Sequence, residues 1–133
     1  MQTTSDDKLS ATLSIPFDQA IVRVKEVFKA EGFGALSEID VRKALREKTG
    51  EQIEPYTILG MCNPQLASRA IAAEHEIGLL LPCNVLVHEC DGQVKVKAQD
   101  PLSMMLMLDN KALQPIAEEA VQRIERALHT LKV

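Results

Sequence analysis

Two amphipathic stripes near the ends of the chain, with alternating apolar runs between them, constrain this sequence most. Phe17, Ile21, Val24 and Phe28 recur at i, i+4, i+7 and i+11, and Ile116, Ala120, Val121, Ile124, Ala127, Leu128 and Leu131 fall on one side of the stretch from Gln114 to Leu131. Each stripe is a helix face that must be buried. Between them, Val94, Val96 and Ala98 alternate with Gln93, Lys95, Lys97 and Gln99, directly after Asp91-Gly92 and the apolar run Leu79 to Glu89. Both turn residues tolerate positive φ, so this reads as a hairpin. Helices with one apolar face beside an alternating hairpin predict helices packed on a sheet.

The remaining elements follow from local signals. Ala11 to Ile15 reads as a strand ahead of Pro16, a good first helical residue, and Gly32 closes the first helix. Gly34 to Ile39 alternates as a half-buried strand, with Asp40 placed to cap a short helix from Val41 to Thr49. Tyr56 to Met61 reads as a strand leading to Asn63-Pro64, a cap followed by a helix start, with Leu66, Ala67, Ala70 and Ile71 as its buried stripe. Gly78 ends that helix, and Pro82 implies a bulge or an edge in the strand over Leu79 to Glu89. Asp100-Pro101 opens the apolar run Met104 to Leu108. The order β-α-β-α-β-α-β-β-α predicts one α+β domain over residues 11–133, helices on a small mixed or antiparallel sheet, behind a polar tail at 1–10.

Composition limits the partners. A net charge of −4 and 3% aromatic residues without Trp give little grip on a nucleic-acid backbone or its bases, so nucleic acid is not expected. The greasiest stretch, Ile77 to Val87, is about half the length that crosses a bilayer and is broken by Pro82 and Asn84, so no membrane span is expected. Met1 to Ser10 lacks the basic-then-apolar pattern of a secretory signal, which points to the cytoplasm and leaves the three cysteines as free thiols.

Two Cys-Asn pairs stand at the mouths of apolar segments: Cys62-Asn63 after Leu59-Gly60-Met61, and Cys83-Asn84 after Pro82. Cys62 precedes a helix cap, where a dipole lowers a thiol pKa and favours a nucleophilic thiolate. The simpler reading is a small core residue at a strand end. Cys83 shares the parity of Val85 and Val87 and reads as packing or as a resolving thiol. Asn63 caps a helix or binds a ligand, and Asn84 satisfies backbone freed by Pro82 or binds a ligand. Glu38 and Asp40, at i and i+2 on one strand face, can act as an acid and base pair or hold a ligand, with capping as the simpler role of Asp40. The usual zinc spacings are missing, so no metal is expected; a soft ion such as copper(I) is the one the Met104, Met105 and Met107 cluster would suit. No phosphate-cradling loop, Gly-x-Ser-x-Gly elbow or His-Glu-x-x-His occurs.

The stretches Gly32 to Val41, Leu59 to Pro64 and Gly78 to Val85 resemble the family called domain of unknown function 302, and the resemblance runs from about Ala11 to Leu131. It implies a compact α+β fold and homodimers in bacteria or archaea, with family motifs on Glu38 and Asp40, on Cys62 and Asn63, and on Pro82, Cys83 and Asn84. It implies no established reaction, substrate or cofactor, and whether the protein is an enzyme stays open. Three readings remain: a homodimer binding a small ligand or partner between the Cys62-Asn63 and Pro82-Asn84 segments, a thiol or sulfur enzyme using Cys62 and Cys83, and a structural interaction protein with Met104 to Leu108 as its subunit seam.

Overall fold

The computed structural model describes residues 8–105 and 107–132; residues 1–7 of the expected tail lie outside them. The order is β1 (Ser10–Leu13), α1 (Phe17–Ala30), β2 (Gly34–Asp40), α2 (Val41–Thr49), β3 (Tyr56–Cys62), α3 (Pro64–Ala73), β4 (Cys83–Cys90), β5 (Gln93–Ala98), α4 (Pro101–Met105) and α5 (Gln114–Lys132), with short 3₁₀ turns at His75–Leu80 and Lys111–Leu113. The strands form one sheet in the order β1-β5-β4-β3-β2. Every pairing is antiparallel, which settles the choice between a mixed and an antiparallel sheet.

The helical stripes and the strand alternation meet in one core. Leu59 lies across from Val85, and Val87 across from Val96, so these side chains share a sheet face. There they pack with Val24 and Phe28 of α1 and Ile124 and Leu128 of α5. α1 stops in a tight cap: Gly32, at φ +89°, donates to the Lys29 carbonyl at 2.9 Å, and Phe33 donates to the Phe28 carbonyl at 2.9 Å. That is the hydrogen-bond pattern of a Schellman motif, and its apolar contact is present as well. The Phe28 and Phe33 rings meet edge to face with centroids 5.8 Å apart.

Several expectations need correction. The strand over Leu79 to Glu89 begins only at Cys83, because Pro82 has no N–H to give a ladder and the preceding residues coil into a 3₁₀ turn. Leu79 is 81% exposed there. β2 is exposed along its whole length, not half-buried, because it is the outer edge of the sheet. Leu36 and Ile39 on it are 71% and 51% exposed. The Met104 to Leu108 run holds the end of α4, a helix absent from the expected order; Leu106 and the side chain of Met105 lie outside the described residues.

β2 is held close to β3 at one point by the lack of a side chain. A Cβ on Gly60 would collide with the Ser37 hydroxyl and sit 2.8 Å from Cγ of Pro82. Gly60→Ala is therefore expected to cost about 2 kcal/mol in urea unfolding. Ser37→Ala in the same background should recover only part of the loss, since the proline ring remains. Full recovery would show that Pro82 does not press on this strand.

Candidate functional site

A cavity of about 80 Å³ opens where the ends of β3 and β4 meet α3 and α5. Four alanines make the space: Ala67 and Ala70 on α3, and Ala117 and Ala120 on α5. Larger side chains at those positions would fill it. The cavity lies between the main core and a smaller cluster of Ala70, Ile77 and Leu113 packed with Leu80, Leu81 and Ile116. Its outer side is covered by the His75–Leu80 turn and by Pro101 and Met104 of α4.

Of the residues singled out in the sequence, Cys62, Asn63 and Cys83 come together on this wall. Met61 is the direct cross-strand partner of Cys83, which puts the Cα of Cys62 about 6 Å from that of Cys83 by ordinary strand geometry. Both cysteines are half-buried free thiols. Burial pushes the Cys62 thiol above its ordinary range. Desolvation, and secondarily the nearby Cys62, lift Cys83 from 9.0 to about 11. Desolvation thus outweighs any pull from the start of α3 on Cys62, against the expectation of a lowered pKa.

Asn63 is committed to structure at both ends of its amide. Its Oδ1 accepts from the Leu66 N–H at 3.2 Å, capping α3, and its Nδ2 donates to the Glu31 carbonyl at 3.4 Å. Arg123 donates to the same carbonyl at 3.2 Å. Glu119 takes hydrogen bonds from Arg69 and then Arg123, which hold its carboxyl below the usual range. The Glu119 and Arg123 pair at i,i+4 is one the spacing of α5 anticipates.

The other candidates lie elsewhere. Asn84 is exposed; its main chain trades hydrogen bonds with Gln99, donating to the side-chain Oε1 at 2.8 Å and accepting from the main-chain N–H at 3.0 Å. Glu38 pairs with Lys25 of α1 at 2.5 Å. Asp40 caps α2, accepting from the Lys43 N–H at 2.9 Å, and borders a separate cleft with Asp18 and Arg42. His88, on the opposite sheet face, packs against Tyr56 with the rings tilted by 44° and centroids 5.5 Å apart, and is pushed down by burial and then by Lys95. Among the described residues, no three His, Cys, Asp or Glu side chains cluster as metal ligands. Sequence reasoning missed Met61 and the four alanines. The signal for the alanines was their i,i+3 spacing on two helices.

The wall is almost wholly apolar, and Asn63, its main polar member, is already bonded. A model of the family described as Domain of unknown function DUF302 matches residues 9–131. The chain belongs to that family. The crystal structure of an uncharacterized conserved DUF302 protein from Bacillus stearothermophilus is 32% identical, covers 90% of this chain and 94% of its own, and superposes with a TM-score of 0.84. No curated protein matches. Membership accounts for the architecture and brings no reaction with it. No helix among the described residues is long and apolar enough to cross a membrane.

The Cys83 shift has a direct consequence for stability. The folded protein keeps its proton up to about pH 11, whereas the unfolded chain gives it up near 9.0. Cys83 therefore leaves stability unchanged below about pH 8 and lowers it as pH rises from 9 toward 11, by about 2 to 3 kcal/mol. Urea unfolding at stepped pH should show wild type losing that much more than Cys83→Ala over this window. Parallel curves would show that the thiol is not desolvated.

Proposed function

We propose that this domain binds a small ligand of a few heavy atoms or fewer in the alanine-walled cavity, with Cys62 and Cys83 in its wall. The observation that carries this reading is the lining itself: nearly all apolar, with its one amide already committed to the fold. Volume limits the ligand. At about 80 Å³ the cavity is roughly half the size of a dry 150 Å³ cavity that takes benzene and far below the 300–1,000 Å³ of ordinary cofactor pockets. A nucleotide or flavin does not fit; a group of a few heavy atoms does. The polar recognition expected of Asn63 and Asn84 finds no support, since one amide is spent and the other lies off the wall.

The same reading includes a cytoplasmic homodimer. Three unpaired cysteines suit a reducing compartment. The exposed β2 edge, with Leu36 and Ile39 open to solvent, is the kind of strand that proteins cover with a partner. A second reading, thiol or sulfur chemistry with Cys62 as nucleophile and Cys83 as its resolving partner, draws on the closeness of the two thiols. The upward shift of both counts against it, because the thiolate is the nucleophile.

Xenon tests the cavity. With methionine methyl groups labelled for NMR, xenon should shift Met61 and Met104, and Ala117→Leu should abolish the shift while the protein stays folded. A response confined to exposed Met107, or none, rejects the cavity. For the assembly, sedimentation should give twice the 14.7 kDa chain mass for wild type and monomers for Ile39→Glu. A monomeric wild type rejects the dimer.

A further inference from the structure

We propose that the ligand of this cavity is a soft monovalent metal ion of the copper(I) kind, held between the sulfurs of Cys62 and Cys83 with Met61 and Met104 beside them. The inference rests on the cavity being the binding site, as read above, and adds the chemistry of what enters it.

Four side chains of the lining carry sulfur: two thiols and two thioethers. Soft ligands of this kind select copper(I), whereas magnesium, calcium and manganese want carboxylate, carbonyl or water oxygens that this wall does not supply. Zinc is a poorer match, because no histidine or carboxylate lines the cavity to complete a tetrahedral set. Separation is compatible as well. Two thiolates sharing one ion need sulfurs about 4.6 Å apart, twice a metal–sulfur bond of about 2.3 Å. Both cysteines line the cavity from the adjoining ends of β3 and β4, with Cα atoms about 6 Å apart by strand geometry.

The surroundings favour the complex. Two thiolates and one monovalent cation leave a single negative charge, and Cys62 directly precedes the capped start of the ten-residue helix α3, whose dipole points its positive end there. The apolar cover limits access of water and oxidants to the ion. Binding transfers no electron: two S–H protons leave to solvent and two copper–sulfur bonds form.

Titration of the intact protein with copper(I) against bicinchoninate, under argon, decides the matter. Wild type should take one equivalent. Cys62→Ser and Cys83→Ser should each weaken binding by more than about 100-fold and Met104→Leu by about tenfold, with Cys90→Ser unchanged. Sulfur-only neighbours in X-ray absorption of the wild-type complex are expected, and this holds even where a serine variant fails to fold. Absence of competition with the chelator, nitrogen or oxygen neighbours, or a loss that follows Cys90 would overturn the assignment. The xenon experiment separates the two levels: xenon shifts without copper binding sink only the metal, and failure of both sinks the cavity.

Discussion

The carbonyl of Glu31 is the point on which the arrangement of helices depends. It lies where α1 has run out of intrahelical donors, and it accepts from both the Asn63 amide and the Arg123 guanidinium. One oxygen thereby fixes the end of α1, the start of α3 and the middle of α5 relative to each other. Gly32 makes the approach possible: besides its positive φ, a Cβ there would stand 2.9 Å from Nδ2 of Asn63. The Arg126 and Glu31 ion pair at 3.0 Å reinforces the junction from the solvent side, where such pairs contribute little alone. An end of a helix left without partners in a half-buried place would cost more than any of these contacts gains singly.

The cavity follows from that junction. Once α3 and α5 are tied at Asn63 and Arg123, their spacing is set by the backbone and cannot close over the alanines one or two turns away. Dense packing is restored on either side, in the main core and in the cluster around Ile77 and Leu113, so the hollow is local. In the exposed direction the cover is made of short elements, a 3₁₀ turn and a five-residue helix, whose few hydrogen bonds make them the part of the fold most readily opened.

Much of this was legible in the sequence because it depends on local rules. The stripe of α1, the cap residues Asp40 and Asn63, the Asp91-Gly92 hairpin and the glycine stop at Gly32 each follow from backbone preferences within a few residues, and each stands where expected. The misreadings depend on long-range order. Nothing in Gly34 to Asp40 says that no strand lies beyond it, so an edge strand looked half-buried. Leu79 to Leu81 are as apolar as a central strand, and only the position of Pro82 in the ladder keeps them out. Asn84 read as a backbone partner or a ligand contact beside the Pro82 bend, and its strand parity turns its side chain to solvent instead.

The site was legible in half. Cys62, Asn63 and Cys83 were found because turns and prolines mark strand ends, and an antiparallel pairing of β3 with β4 brings those two ends together by necessity. The chemistry was harder to read, since it depends on volume. Alanine at four positions is unremarkable along the chain and becomes a cavity only when two helices face each other across it. The same fact inverts the roles first given to the residues. The Asn63 amide, which looks like a recognition group, holds the frame, and the sulfur-bearing side chains, which look like packing, line the hollow. Desolvation raises the proton affinity of those thiols, so a nucleophilic role at neutral pH is opposed by the same burial that creates the hollow.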